Sequence, residues 1–205
     1  MYKTSPSRYI LLLLCGLLVL GGCEQHDSDL QQLDATVFTQ PRPLPDFTLV
    51  DQNNRAFTPA RLRHKWSFLF FGYTHCPDIC PNTLTTLNII ATKLHEPDVQ
   101  FVFVSVDPYR DKPATLAKYV SYFNANFIGV TENKSGELAK LTGKLGVMYK
   151  PVPNGGERDD YLVQHSANLI LIDPNGKWQA LLSPPFDAQK IVREFKIIQN
   201  HYIGK

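Results

Sequence analysis

The stretch from residue 66 to residue 81 constrains the fold more than any other. Trp66 to Phe71 is an apolar run interrupted only by Ser67, as a strand buried on both faces would be. The chain then enters Gly72-Tyr73-Thr74-His75-Cys76-Pro77-Asp78-Ile79-Cys80-Pro81, a segment carrying two thiols. A helical pattern follows, with Leu84, Leu87, Ala91 and Leu94 on one face. A buried strand that delivers thiols into a loop before a helix places them where open α/β sheets bind ligands, beyond the carboxyl ends of strands.

The rest of the chain extends this beginning. Asp46 to Val50 and Arg55 to Phe57 read as an N-terminal β-hairpin around the turn Asp51 to Asn54. Gln100 to Val106 reads as a second buried strand. Pro113 opens a helix with Leu116, Val120 and Phe123 inward. Phe127 to Val130 is a short strand, and Ser135 to Leu145 a helix ending at Gly146. Residues 150 to 160 read as loop. Ala167 to Asp173 and Trp178 to Leu182 form a hairpin around Pro174-Asn175-Gly176-Lys177, and Asp187 caps a last helix bearing Ile191, Phe195 and Ile198. A βαβ start followed by a late hairpin predicts an α/β domain with a mixed central sheet flanked by helices.

The N-terminus reads as an address. Lys3 and Arg8 precede the apolar stretch Ile10 to Leu20, which is too short for a comfortable membrane span and suits a secretory signal. Leu20-Gly21-Gly22-Cys23 resembles the lipobox of bacterial lipoproteins, in which Cys23 becomes the acylated N-terminus. This divides the chain into a signal peptide (1–22), a polar tether (23–43) and a folded domain (44–205). The expected location is the bacterial cell envelope, lipid-anchored, with the domain facing the periplasm, where disulfides are permitted. The chain has 21 basic and 19 acidic residues, and Lys3 and Arg8 supply the excess. The mature chain is formally neutral, and no basic face speaks for a nucleic acid partner.

Cys76 and Cys80 are the only cysteines left for the domain. Pro81 suits the first helical position, which puts Cys80 near the N-cap, where helix N–H groups favour thiolate. The three-residue spacer allows either a disulfide or a two-sulfur chelate. Two soft sulfurs suit Cu(I) and want a third ligand. His165, directly before the strand Ala167 to Asp173, is the candidate: in thioredoxin-like domains the loop before that strand faces the cysteines. That loop usually carries a cis-proline, and none stands immediately before this strand. Two sulfurs and one imidazole make a trigonal set for Cu(I), and for Cu(II) with a further ligand or water.

At these residues the chain resembles the Sco family (also called SenC or PrrC), copper-binding accessory proteins of cytochrome c oxidase assembly. The resemblance runs from about Pro41 to about Gln199. Its carriers are Gly72 to Pro81, then Ser105-Val106-Asp107-Pro108-Tyr109-Arg110-Asp111-Lys112-Pro113, then Phe127 to Thr131, then His165-Ser166-Ala167 with Leu171 to Gly176. It implies a thioredoxin-like fold, copper held by Cys76, Cys80 and His165, and delivery of that copper to the oxidase subunit carrying the CuA centre, from a donor the sequence does not name. Lys112 stands where the family more often has threonine.

Other roles stay open beside this one. The cysteines could instead work as a thiol-disulfide oxidoreductase that reduces the CuA-site cysteines, with Cys76 attacking and Cys80 resolving. A peroxiredoxin-like peroxidase would use Arg110 to activate a cysteine, and a copper-responsive signalling partner is a fourth reading. Asp78, between the cysteines, and Asp107 and Asp111, after the strand end at Val106, are expected to support the site from behind or to dock a partner. For Asp107 and Asp111 the alternative is helix capping before Pro113. His75 is a spare ligand at most.

Overall fold

The structure, a computed structural model, describes residues 30–155 and 160–203. The signal peptide, the Cys23 acylation site and the start of the tether lie outside the described residues. In chain order the elements are β1 (Thr36–Pro43), β2 (Leu49–Asp51), β3 (Ala56–Phe57), β4 (Trp66–Gly72), α1 (Ile79–Leu94), β5 (Val99–Ser105), α2 (Pro113–Phe123), β6 (Ile128–Thr131), α3 (Glu137–Leu145), β7 (Tyr149–Pro153), β8 (Tyr161–His165), β9 (Leu169–Ile172), β10 (Lys177–Leu182) and α4 (Ala188–Ile203). A 3-10 turn spans Pro59–Leu62.

The unbroken apolar run becomes the centre of the molecule. Every residue of β4 is buried. It pairs parallel with β5 and antiparallel with β9, and β5 pairs parallel with β6. Parallel neighbours need a crossover, and α1 supplies it between β4 and β5. The sheet order is β1-β10-β9-β4-β5-β6-β2-β3. On one face Phe68 stacks on Phe101 at 5.2 Å between ring centroids, and Phe195 of α4 covers it at 5.3 Å. Trp66 meets the same Phe195 edge-on at 5.5 Å. Each such ring, fully buried, contributes about 1.5–3 kcal/mol. Helices α1 and α4 pack against each other over this face.

Local chemistry ends the elements where the sequence places punctuation. Asp173 Oδ1 accepts the N–H groups of Asn175 (2.9 Å) and Lys177 (2.8 Å), and Gly176 takes φ +76°, so the β9–β10 turn uses its aspartate and its glycine. Asp187 Oδ1 accepts the Lys190 N–H at 2.7 Å and caps α4. Gly146, at φ +66°, closes α3.

Two expectations are corrected. The tether was drawn to residue 43, but Thr36–Pro43 is a strand that pairs antiparallel with β10 at the sheet edge. An edge strand leaves one side unpaired, so Pro41 and Pro43 are tolerated, and the register shifts between Val37 and Arg42. The segment 150–160 is not simply loop. Strands β7 and β8 form a separate two-stranded antiparallel sheet, with Tyr149 opposite His165 and Pro153 opposite Tyr161. No helix among the described residues is long and apolar enough to cross a membrane.

Candidate metal centre

Gly72 and Ser105 are register partners at the carboxyl ends of β4 and β5. The thiol loop and the segment from Asp107 to Asp111 therefore leave the sheet side by side. Gly72 O accepts the Val106 N–H at 2.8 Å and holds the two exits together. Helix α1 begins at Ile79 with Asp78 as its N-cap, two residues earlier than Pro81 suggests. Cys80 thus lies inside the first turn and is fully buried, whereas Cys76 lies before the helix and is partly exposed.

Gly72 makes the room for this. A Cβ there would sit 2.8 Å from Cys80 Sγ and 2.9 Å from Phe103 Cε2. The Cys80 sulfur occupies the space that any other residue at the end of β4 would fill.

The third group arrives on the β7–β8 hairpin. His165 Nε2 lies 3.4 Å from Cys80 Sγ. One donor atom from each of Cys76, Cys80 and His165 lies within 4.8 Å of the others, and both cysteines are free thiols. His165 Nδ1 is 3.1 Å from the Ser166 carbonyl oxygen. A carbonyl only accepts, so Nδ1 carries the proton and Nε2 presents its lone pair to the sulfurs. The ring stands edge-on to Tyr73 at 5.9 Å and to Phe70 at 6.2 Å between centroids. Metal–sulfur and metal–nitrogen bonds of about 2.0–2.3 Å put two ligands of one ion at most about 4.6 Å apart. The three atoms need little closure to share an ion.

The thiols differ in acidity because they share a proton. The Cys80 thiol donates toward Cys76, and the N–H groups of Asp78 and Cys80 add to this against the effect of burial. Together they hold Cys76 at about 4, far below its ordinary 9.0. Cys80 moves upward, first because it keeps the shared proton and second because it is buried. At neutral pH the pair carries one negative charge, seated on the accessible sulfur. The N–H array before α1 therefore favours thiolate at Cys76 rather than at Cys80; Cys80 N donates to Cys76 Sγ at 3.4 Å.

The three aspartates part company. The Asp78 carboxylate is exposed and accepts from Asn82 Nδ2 at 2.6 Å, away from the donor set. Asp111 is fully buried and accepts three hydrogen bonds: Thr74 N (3.0 Å), Thr74 Oγ1 (2.6 Å) and Ser105 Oγ (2.6 Å). It ties the thiol loop to the end of β5, and burial pushes its carboxyl upward. Asp107 pairs with Arg110 Nε and accepts the Tyr161 hydroxyl at 2.7 Å, reaching the hairpin instead. The Arg110 guanidinium is thus taken up by Asp107 and by the Tyr161 ring, 3.6 Å away. His75 is exposed and its Nδ1 lies 3.1 Å from Thr74 Oγ1. Sequence reading did not single out Gly72, Thr74, Ser105 or Tyr161. Their roles come from contacts across the chain that no local pattern announces.

Comparison with known proteins agrees with this arrangement. The SCO1/SenC family profile matches residues 39–199. An SCO2-like protein of Rickettsia prowazekii is 36% identical over 152 residues, covering 73% of this chain and 74% of its own. The crystal structure of Arabidopsis thaliana ScoI with copper bound superposes with a TM-score of 0.70 at 32% identity, covering 76% of this chain and 98% of that one. A SCO1/SenC family lipoprotein from Bacillus anthracis superposes with a TM-score of 0.67 at 26% identity over 79% of this chain and 99% of its own. From the profile match over most of its length and these thioredoxin-like neighbours, the chain belongs to the SCO1/SenC family.

Proposed function

We propose that this protein is a copper metallochaperone of the cell envelope that binds one copper ion through Cys76, Cys80 and His165 and delivers it to the CuA centre during cytochrome c oxidase assembly. The observation that carries the reading is the convergence of three donor atoms within 4.8 Å at one rim of the sheet. The donors are soft sulfur and imidazole, the combination that suits copper. Likeness to a copper-bound Sco structure supports the same metal. The Cys76 thiolate is the accessible first contact for an incoming ion, and Cys80 and His165 complete the set once the shared proton leaves. Three ligands leave a position open, so an acceptor thiolate can join before a resident donor lets go. Anchoring through lipid at Cys23, with the domain in the periplasm, would keep the site at the surface of the membrane that holds the oxidase. The Bacillus anthracis family member described as a lipoprotein supports that anchoring.

The test is metal content and absorption of the reduced full-length chain in detergent, loaded with Cu(II) and separately with Cu(I). One copper per chain and a sulfur-to-Cu(II) charge-transfer band are expected, with His165→Ala losing most of the Cu(II) affinity. Wild-type Cu(II) affinity in that variant would remove His165 from the ligand set.

A second reading draws on the unequal thiols. A partly exposed Cys76 thiolate beside a buried Cys80 is the arrangement of an attacking and a resolving thiol. Cys76 would attack a partner disulfide, Cys80 would displace the partner from the mixed disulfide, and the chain would keep the new disulfide while two thiols leave on the partner. Metal-free protein that turns over a disulfide peptide, undiminished in His165→Ala, would favour this reading.

A further inference from the structure

The β7–β8 hairpin that carries His165 shares no strand pairing with the main sheet. A two-stranded hairpin alone is marginally stable in water. Something else must hold the imidazole against the sulfurs. Strand alternation puts Tyr161, Val163 and His165 on one face of β8. Val163 is buried and anchors the middle of the strand. The other anchor is Tyr161, at the far end of the strand. Its carbonyl accepts from Arg110 Nη1 at 3.0 Å, its hydroxyl donates to Asp107 Oδ1 at 2.7 Å, and the guanidinium carbon lies 3.6 Å from its ring centroid. Asp107 is 4% exposed and is joined to Arg110 Nε through its second oxygen. One aspartate and one arginine, both from the segment after β5, thus grip the backbone, the ring and the hydroxyl of a single hairpin residue.

We infer that Asp107 and Arg110 are positioning residues for His165: by clamping Tyr161 to the rim of β5 they set the hairpin so that the imidazole reaches the two sulfurs. This rests on the copper-binding reading above. Neither residue touches the donor atoms, and both act four residues away through a strand. The segment after β5 therefore holds both halves of the site. Asp111 secures the thiol loop through Thr74, and the Asp107–Arg110 pair secures the imidazole through Tyr161. The clamp matters unequally for the two copper oxidation states. Thiolate is the softer donor and favours Cu(I), so displacement of the imidazole weighs more on Cu(II).

The experiment uses the full-length chain with Asp107→Asn, Arg110→Leu and Tyr161→Phe, each alone and combined with His165→Ala. Tyr161→Phe keeps the ring and the stack and removes one hydroxyl, so it reports on the clamp even where the other two fail to fold. Outer partners of metal ligands are worth about 10–100-fold in metal affinity. Asp107→Asn and Arg110→Leu are expected to fall in that range for Cu(II), with an altered charge-transfer band, while Cu(I) affinity changes little. Tyr161→Phe should give the same pattern in smaller measure. In the His165→Ala background none of the three should weaken Cu(II) further, because their effect runs through the ring. Equal losses with and without His165, or equal losses for both oxidation states, would overturn the positioning role and leave plain support of the fold. Wild-type Cu(II) affinity and spectrum in all three variants would also overturn it. Failure of the copper reading itself is seen separately, in a wild-type chain that takes up no copper.

Discussion

Gly72→Ala tests whether the end of β4 is shaped around the Cys80 sulfur. The added methyl would stand 2.8 Å from Cys80 Sγ, 2.9 Å from Phe103 Cε2 and 3.3 Å from Phe70 Cε1. Ordinary contacts between such atoms are about 3.5–4.0 Å, so the two closest neighbours must retreat by roughly 0.6–1 Å. Phe103 is held by Phe70 and by Tyr119, at 6.1 Å and 5.4 Å between centroids, and it is 1% exposed. The sulfur is the easier group to displace, and its displacement acts on the 3.4 Å approach of His165 Nε2. Overpacking of this kind costs about 1–3 kcal/mol. Restricting the unfolded chain by replacing glycine returns about 0.4–1 kcal/mol. The expected net loss is about 1–2 kcal/mol in urea unfolding of the metal-free protein. A drop in Cu(II) affinity and a shifted charge-transfer band should accompany it. A Gly72→Ala protein with unchanged stability and an unchanged copper spectrum would refute the idea that this glycine exists to seat the sulfur.

Four further outcomes follow from the same geometry. Cys76, held near pH 4, is thiolate throughout the neutral range, so its alkylation by iodoacetamide, followed by mass spectrometry, should vary little with pH between about 5.5 and 8. Cys80→Ala removes the largest cause of that depression, so the same rate should become steeply pH-dependent as the Cys76 value rises. Asp111→Asn turns one oxygen that accepts from Thr74 or Ser105 into a donor facing donors, and should cost about 1–3 kcal/mol in chemical denaturation. Asp187→Ala loses the cap of α4 and should cost about 1 kcal/mol with copper binding unaltered, since Asp187 makes its hydrogen bonds to Lys190 and Ile191 of its own helix and none to a donor residue.

What could be read from the sequence depended on whether a segment carries its own reason for its conformation. Strand β4 does: an apolar run between a lysine and a glycine has few alternatives, and the thiol loop and α1 follow from it. The β9–β10 hairpin does too, because Asp173 and Gly176 encode the turn locally. Strand β1 does not. Its sequence, Thr-Val-Phe-Thr-Gln-Pro-Arg-Pro, is polar and twice interrupted by proline, and it becomes a strand only because β10 offers an open edge. Strands β7 and β8 are similar: Pro151 and Pro153 read as loop, and the pair forms outside the main sheet, where no continuous apolar pattern is required. The identities of the three donor residues could be read from residue type and family likeness. The residues that hold them were harder to see, because Thr74, Asp111 and Tyr161 act through hydrogen bonds spanning 37 and 54 positions.

That difference between donors and supports has a physical consequence. The sulfurs are built into the rigid part of the protein: Cys80, in the first turn of α1, packs its sulfur against Gly72, and Cys76 is backed by N–H groups at the start of the same helix. The imidazole hangs from a ribbon whose hold on the body passes through side chains rather than a strand ladder. A backbone ladder opens cooperatively with the sheet, whereas a ribbon held by side chains can yield while the core stays intact. The fold therefore separates retention from release. Two donors remain wherever the core is folded, and the third follows the state of a small hairpin, so the ligand easiest to withdraw is the one whose loss leaves the thiolates free to meet an acceptor.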